Sequence, residues 1–548
     1  MKNLYIYFWR WATWKAFDAH PEDQHGVICF ITPNAFISGP GGRGMHAYLR
    51  DTCDEGWIIN VSPQGHRPDG PTRIFPDVAQ PLAICIFLRR ADADHSQPAV
   101  IHYREVHGRQ AEQYQQLKNI QLDHVAWQVA RTNSSAPFTP AQLDWDAYPL
   151  LNDLFPWGSL GVTTNRAWVQ SPGRQILEQR WNTLIGEEDP ERKAELFKET
   201  RDRTLGKKLD GLPGRNPHNV PIRQETTRCP DLLRVGLRSF DRQWLIADRR
   251  VIDFPRPDLW EALLPGQVFL NQQSSHPIES GPAVVATALL PDTHHFNGRG
   301  GRVLPMLHPD GTGNVPTGLL AALPSRLGLA KVTAQDLAAY VMAVAGHPGF
   351  TKRFKEELLT PGVRVPLTGD PVLWEEAVRL GEEVLWASTY GEAFADSGAG
   401  RMPGSITYAP GDPRQVRYLA PIGSEVPHEM RYEAATQTLH LGAGSFGPVP
   451  EEVWAYDVGG MGILKKWFGY RKARPDSRRS SPLDDIHAEQ WPRRPANRAA
   501  QSPSTTSKRR ATPTTGASLP RSHGAGGPGR WHDLAVPSLF LSGQVRSR

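Results

Sequence analysis

Apolar and polar residues follow two rhythms along the first hundred positions. GVICFIT (26–32), EGWIINV (55–61) and LAICIFL (82–88) are apolar throughout, which predicts short strands in a sheet covered on both faces. Elsewhere apolar residues return every three or four positions. Leu4, Phe8, Trp11 and Trp14 predict a helix over 4–17, and 45–53 predicts another. Strands alternating with helices indicate an α/β domain. Three strands are few for a doubly wound sheet, and the chain opens on a helix that needs a sheet beneath it. The lobe is therefore expected to be cut at its N-terminal side.

Downstream the patterns are more varied. Stretches 111–126 and 174–203 have helical periodicity, and from 236 to 330 short strands alternate with Gly/Pro turns, as in LPGQVFLNQ and GPAVVATALL. Thr333 with Asp336 forms a capping signature before LAAYVMAVA, and Asp370-Pro371 starts a further helix. MRYEAATQTLHLG predicts a hairpin. After about residue 492 the chain turns to Ser, Thr, Pro, Arg and Gly, a composition expected to stay disordered.

Composition adjusts this picture at three points. A length of 548 residues suggests several domains, and no apolar run approaches the roughly 20 residues a membrane-spanning helix needs. Arg10, Lys15 and Asp18 interrupt the apolar N-terminus, so a signal peptide is not expected and a cytoplasmic location is. Cys29, Cys53, Cys85 and Cys229 lie far apart without a CxxC pair, the usage of buried thiols in a reducing compartment. The net charge of +5 is unevenly spread: 471–548 holds 15 Lys and Arg against 5 Asp and Glu, leaving residues 1–470 net negative. Bulk charge thus gives no reason to expect nucleic acid on the folded body.

Four local patterns invite chemistry. GPGGRG (39–44) fits a dinucleotide loop, but it lies well past the strand end and the next strand ends in Asn60-Val61 rather than an acid, so a plain loop is the default. His276, His294, His295 and His308 lack carboxylates or thiols at ligand spacing, and no metal is expected. Gly298-Arg299-Gly300-Gly301-Arg302 is either a turn or a small-residue loop that lets two arginines approach a phosphate backbone or a guanine edge. Trp454, Tyr456, Lys465, Lys466, Trp467, Tyr470 and Arg471 interleave rings with cations. They read as packed aromatics with solvated charges or as a phosphate-contacting face.

The order of longer segments carries a resemblance. NLYIYFWRW, GVICFITPNAFIS, GWIINV and RIFPDVAQPLAICIFL, in that order, resemble the later half of an adenine-specific DNA amino-methyltransferase. GSLGVTTNRAWV (158–169), SFDRQWLIADRRVIDFPRPDLW (239–260), LLPDTHHFNGRGGRVLPML (289–307), VWAYDVGGMGILKKWFGYR (453–471) and SPLDDIHAEQW (481–491) extend it. Together they are similar to the C-terminal part of the type ISP restriction–modification enzymes, over residues 1–492. The implied fold is α/β: an incomplete Rossmann-like methyltransferase lobe (1–110), then a mixed α/β target-recognition region with helical inserts (111–330 and 331–492). A disordered basic tail (493–548) lies beyond the resemblance, as a frameshift product or a genuine arm.

The resemblance also implies roles. Phe75 would hold a flipped adenine, and Asn3, Leu4 and Tyr5 would line the S-adenosylmethionine pocket. Thr164, Asn165, Arg166 and Arg242 fall in stretches that approach DNA in the family. Arg242 reads equally well as half of a structural network with Asp241. Arg299, Arg302, Lys465, Lys466 and Arg471 complete the expected contacts to double-stranded DNA. The chain has no Pro-Pro dipeptide and so no Asn/Asp-Pro-Pro-aromatic loop, and it lacks an aromatic-x-Gly-x-Gly loop near its start. The expectation is a recognition portion that does not methylate alone, and complementation by a separate N-terminal chain is a further option. An inert remnant without DNA affinity is the alternative.

Overall fold

The computed structural model describes residues 4–472 except 21, 23–24, 64–72, 76–77, 79, 93–95, 124, 133, 141–144, 216–219, 405–414 and 424, together with 481 and 483. The basic tail and Asn3 lie outside the described residues. The rest divides into two units, each discontinuous in sequence. Unit 1 comprises the described parts of Met1–Leu154, Gln273–Ala283 and His347–Gly369; unit 2 comprises those of Phe155–Gln272, Val284–Gly346 and Asp370–Arg548.

Unit 1 is built on a five-stranded sheet of β1 (Gly26–Pro33), β2 (Glu55–Asn60), β3 (Leu82–Arg89), β4 (Val100–Glu105) and β5 (Gln128–Val129), in the order β1-β3-β2-β4-β5. β3 runs antiparallel between β1 and β2, with Gly26 opposite Arg89 and Glu55 opposite Leu88; β4 pairs parallel with β2. β4 was not among the predicted strands, because VIHYRE alternates, with Ile101 and Tyr103 inward, where its neighbours run apolar throughout. β2 is covered on both faces as expected. β1 is not: it is an edge strand, and Val27 (62% exposed) and Ile31 face outward.

The expected helix forms over Leu4–Thr13. Its inward residue is Trp9, stacked on Phe36 at 4.4 Å and donating from Nε1 to Thr32 Oγ1 at 3.3 Å. The stripe of Leu4, Phe8, Trp11 and Trp14 that predicted the helix is its exposed face. Two excursions from late in the chain fold into this unit. Phe354 packs 4.8 Å from Trp145, Ile278 N–H donates to the Leu358 carbonyl, and Arg131 pairs with Glu357 at 2.8 Å in the interior.

Unit 2 surrounds a core that includes Trp168, Leu177, Trp181, Phe197, Leu245, Ile252 and Phe269. One sheet holds β6 (Gln170–Ser171), β7 (Leu232–Arg238), β8 (Asp241–Ile246) and β11 (Leu290–Pro291); another holds β9 (Phe269–Gln273), β10 (Val284–Thr287) and β12 (Gly301–Pro305). The periodic stretch 174–203 is two helices, Arg174–Gly186 and Pro190–Phe197, separated where Asp189 caps Pro190 by accepting from Arg192 N–H at 3.0 Å. Thr333 and Asp336 form the reciprocal capping box, and Asp370 caps Pro371–Ser388. The hairpin 430–442 forms as expected, with Met430–Glu433 opposite Thr438–Leu441 in a four-stranded sheet that packs on Ile463–Gly469 through Phe446, Leu464 and Trp467.

Candidate nucleic-acid interface

An extended segment, 158–166, laces three parts of unit 2 together through backbone bridges. Ser159 pairs with Val303, Val162 with Asp292, and Thr163 with Phe254. The approach is so close that a Cβ on Gly161 would sit 2.4 Å from the Asp292 carbonyl carbon, so only glycine fits there. The arginine loop 298–302 leads into β12 at one end of this lacing, and Arg302 Nη2 donates to the Gly158 carbonyl at 3.3 Å.

The same loop meets the aromatic–basic segment from the end of the chain. Asn297 Nδ2 donates to the Gly459 carbonyl at 3.1 Å, across 162 residues of sequence. Gly459 holds a left-handed φ of +54°, and a Cβ there would lie 2.6 Å from Asn297 Nδ2. The end of the Lys466 side chain lies alongside Gly298. Arg299 and Lys465 are exposed, with the Lys465 ammonium 5.1 Å from the Trp454 ring and that of Lys466 5.5 Å from Tyr470. Arg238 also lies against Tyr470, at 5.3 Å, and pairs with Asp292 at 2.7 Å. Burial raises the Tyr470 phenol pKa against the opposing pull of Arg238.

The remaining arginines are engaged internally. Arg471 is buried and grips Asp241 with two bonds of 2.7 and 3.1 Å, while its guanidinium lies 4.5 Å from Trp467. Arg166 is buried too. It donates to Asp253 Oδ1 and to the carbonyls of Phe197, Thr164 and Arg203, and desolvation lowers its pKa. Thr164 Oγ1 donates to the Arg166 carbonyl, and the exposed Asn165 adopts a left-handed φ of +52° and donates to Asp253. Arg242 pairs with Glu392 above the Tyr390 ring rather than with its neighbour Asp241. Asp241, Asp253 and Asp292 organise these arginines from up to 230 residues away, and no local sequence signal marks them.

In unit 1, Leu4 is 74% exposed and Tyr5 packs against the core. Phe75 is 38% exposed, and its neighbour Ile74 is the buried anchor. The Ile74 carbonyl accepts from Gln110 Nε2 at 2.9 Å and Tyr114 Oη at 2.6 Å. A cavity of about 880 Å3 is lined by Asn60, Tyr103 and Glu105 at the carboxyl ends of β2 and β4, and by Lys355 and Glu356 of the late excursion. Burial raises the Glu356 carboxyl pKa. GPGGRG forms a short turn leading into Arg43–Thr52, separated from β1 by Ala35–Ser38, with Gly42 closed against His46. His295 is buried against the Gly236 carbonyl and His294 lies 3.4 Å from Asp292. Among the described residues no three His, Cys, Asp or Glu side chains converge on a metal position.

Residues 153–502 match the Type ISP C-terminal specificity domain. The chain belongs to that family. Among solved structures it is similar to the ATP-dependent Type ISP restriction-modification enzyme LlaBIII bound to DNA, at 17% identity and a TM-score of 0.50, over 85% of this chain and 31% of that one. It is also similar to DrdV in a DrdV–DNA complex, at 17% identity and a TM-score of 0.51, over 88% of this chain and 49% of that one. At these identities the likeness concerns fold. This Type ISP chain spans a third to a half of the length of those proteins. No curated protein matches it.

Proposed function

We propose that this Type ISP specificity chain is the sequence-reading portion of a restriction–modification enzyme, holding duplex DNA on unit 2. The observation that carries the reading is the joining of loop 298–302 to the turn before Ile463–Gly469. It sets Lys466 beside Gly298 next to the exposed Arg299, with Lys465 exposed one residue earlier and Arg302 at the base of the loop. The exposed Asn165 extends this cluster along the laced segment, while Thr164 is buried there rather than on the surface. The buried Arg166 and Arg471 shape the surface from beneath, and Arg242 joins it where its pair with Glu392 opens. The cations replace the counterions of the phosphates, so binding weakens as salt rises. Fluorescence anisotropy with a labelled 40-base-pair duplex tests this across a salt series. Arg299→Glu and Lys465→Glu are expected to weaken binding of every sequence. Each should also flatten the slope of log affinity against log salt by about one, the value of a single phosphate left unneutralised. Unchanged binding by both variants, or binding insensitive to salt, overturns it.

In the complete enzyme the reaction would be methyl transfer from the sulfonium of S-adenosylmethionine to an adenine amino nitrogen, which gives up a proton. Phe75 would stack on the flipped base, and the cavity at the carboxyl ends of β2 and β4 lies where α/β sheets take ligands. Leu4 and Tyr5 do not by themselves form a cofactor pocket, Leu4 being exposed and Tyr5 packed inward. The cofactor's remaining contacts would come from a separate N-terminal chain laid against the edge of β1. The outward Val27 and Ile31 and the face of Tyr7, Phe8 and Trp11 support that partner. The chain alone is expected to transfer no methyl group from tritiated S-adenosylmethionine to duplex DNA, and robust transfer overturns the complementation. The same uncovered face favours a second reading, an inert remnant in the cytoplasm, which would show neither cooperative unfolding nor DNA binding.

A further inference from the structure

Next to the basic loop, the laced segment of unit 2 carries an element built on different principles. Asp253 lies fully buried with its carboxylate saturated: Oδ1 accepts from Arg166, and Oδ2 from Asn165 Nδ2 at 2.9 Å and Thr200 Oγ1 at 2.8 Å. Arg166 is itself fixed, 4.5 Å above the Phe197 ring and bonded to three backbone carbonyls. On top of this plug Thr163 and Phe254 exchange both backbone hydrogen bonds, each 3.0 Å. Trp260 Nε1 then ties down the Pro255 carbonyl at 2.6 Å.

This framework presents the exposed Phe254 outward with the half-buried Arg256 beside it. Phe254 is 36% exposed, and the Arg256 guanidinium stands 5.4 Å from its ring. Arg256 holds a left-handed φ of +56°, a conformation rare for a side chain of its kind, at the residue that precedes the helix Pro257–Glu261. A loop with no task beyond connection does not need a saturated buried ion pair beneath it, nor an aromatic ring left in water with an arginine stacked over it. The pair is continuous with the DNA-facing cluster, because the segment that bridges to Phe254 also accepts Arg302 at Gly158.

We propose that Phe254 and Arg256 are a base-reading pair, with Arg256 forking onto the O6 and N7 acceptors of a guanine and Phe254 resting on the methyl group of a neighbouring thymine. The chemistry matches the major-groove edge of those two bases: a rigid fork of donors for two adjacent acceptors, and an apolar ring for an apolar methyl. This rests on unit 2 binding duplex DNA as proposed above.

The test begins with a randomised 40-base-pair duplex library, from which the intact chain selects its preferred sequence. Phe254→Ala, Arg256→Ala and Arg256→Lys then repeat the selection, with thermal unfolding as a check that each variant folds. The expected result is loss of preference at two adjacent positions, guanine for the arginine variants and thymine for Phe254→Ala, with the rest of the profile intact. Replacing that thymine by uracil, or that guanine by 7-deazaguanine, should weaken the unaltered chain by roughly five- to hundredfold. The corresponding variant should no longer distinguish the altered base from the natural one. Arg256→Lys keeps the charge and so keeps the salt slope while losing guanine. An unaltered chain that selects a sequence while all three variants select the same one overturns this pair and leaves the DNA-binding reading standing. A uniform loss of affinity without change of profile makes Arg256 a phosphate contact and also overturns it. No duplex binding by the intact chain overturns both.

Discussion

The two units both bury ion pairs but differ in the aromatic surface they leave in water. Unit 1 leaves an aromatic helix face and an edge strand in water: Tyr7, Phe8, Trp11, Val27 and Ile31 are exposed although their neighbours Trp9 and Phe36 are fully packed. Unit 2 draws inward groups that usually sit in water, among them Arg166, Arg250 and Arg471, each with a buried carboxylate. A large apolar patch on a soluble protein marks a surface made to be covered. Internal ion pairs do something else: they fix loops in one arrangement while leaving the outer surface free for other cations. The difference is one of exposure: unit 1 keeps an apolar aromatic face in water, and unit 2 pins its loops with internal charge.

The largest effect expected from breaking this comparison comes from the interior charges. Asp253→Ala leaves Arg166 buried without its carboxylate, a change that typically costs about 3–5 kcal/mol. Glu357→Ala is the matching experiment in unit 1, where Arg131 is equally buried. Urea unfolding of both variants measures the two losses. Comparable destabilisation would mean that unit 1 also relies on internal charge and that its exposed face is its one point of difference. A loss confined to Asp253→Ala would mean that the late excursion His347–Gly369 is loosely held.

Acid should act on the two units alike. His46 in unit 1 and His295 in unit 2 are both held to a pKa of about 4, in each case by burial, against the pull of a backbone carbonyl. A histidine depressed in the folded state takes its proton more readily when unfolded. The stability it allows is therefore fully present above about pH 6.5 and is lost as pH falls toward 4, by up to about 3 kcal/mol for each. Urea midpoints should be lower at pH 5 than at pH 7.5 for the unaltered chain, and His295→Gln should flatten its share. An unchanged midpoint for the unaltered chain would place both imidazoles in contact with water.

Thr333→Ala removes one half of a capping box and should cost about 1 kcal/mol, read in the same urea series. That helix start was legible in the sequence because every group that makes it lies within four residues. The strands β1, β2 and β3 were legible for the same reason, each being a contiguous run. Legibility fails where the cause is distant. No local pattern says that Asp241 will hold Arg471, that 347–369 will fold with the first lobe, or that the Gly-Arg loop will meet a glycine turn 162 residues later. The site residues were named from segment order and from local arginine-glycine and ring-cation patterns, and only the fold separates exposed Arg299 and Lys465 from buried Arg166 and Arg471. The helix 4–13 was legible in its periodicity, and which of its two apolar faces turns inward depends on what it has to bury against.

The smallest effect on stability should come from that outward face, and it is the sharpest test of the comparison. Phe8→Ser with Trp11→Ser removes rings that touch water, so the stability read by urea should change by no more than about 0.5 kcal/mol. Their removal should nonetheless lower the binding of a hydrophobic dye and reduce self-association in sedimentation, because both depend on exposed apolar area rather than on the core. The edge of β1 remains open in such a variant, so any association that persists isolates backbone pairing from side-chain burial. A large loss of stability from the double variant would show that the face is already covered within this chain, and the contrast between the exposed aromatic face of unit 1 and the charge-pinned loops of unit 2 would fall with it.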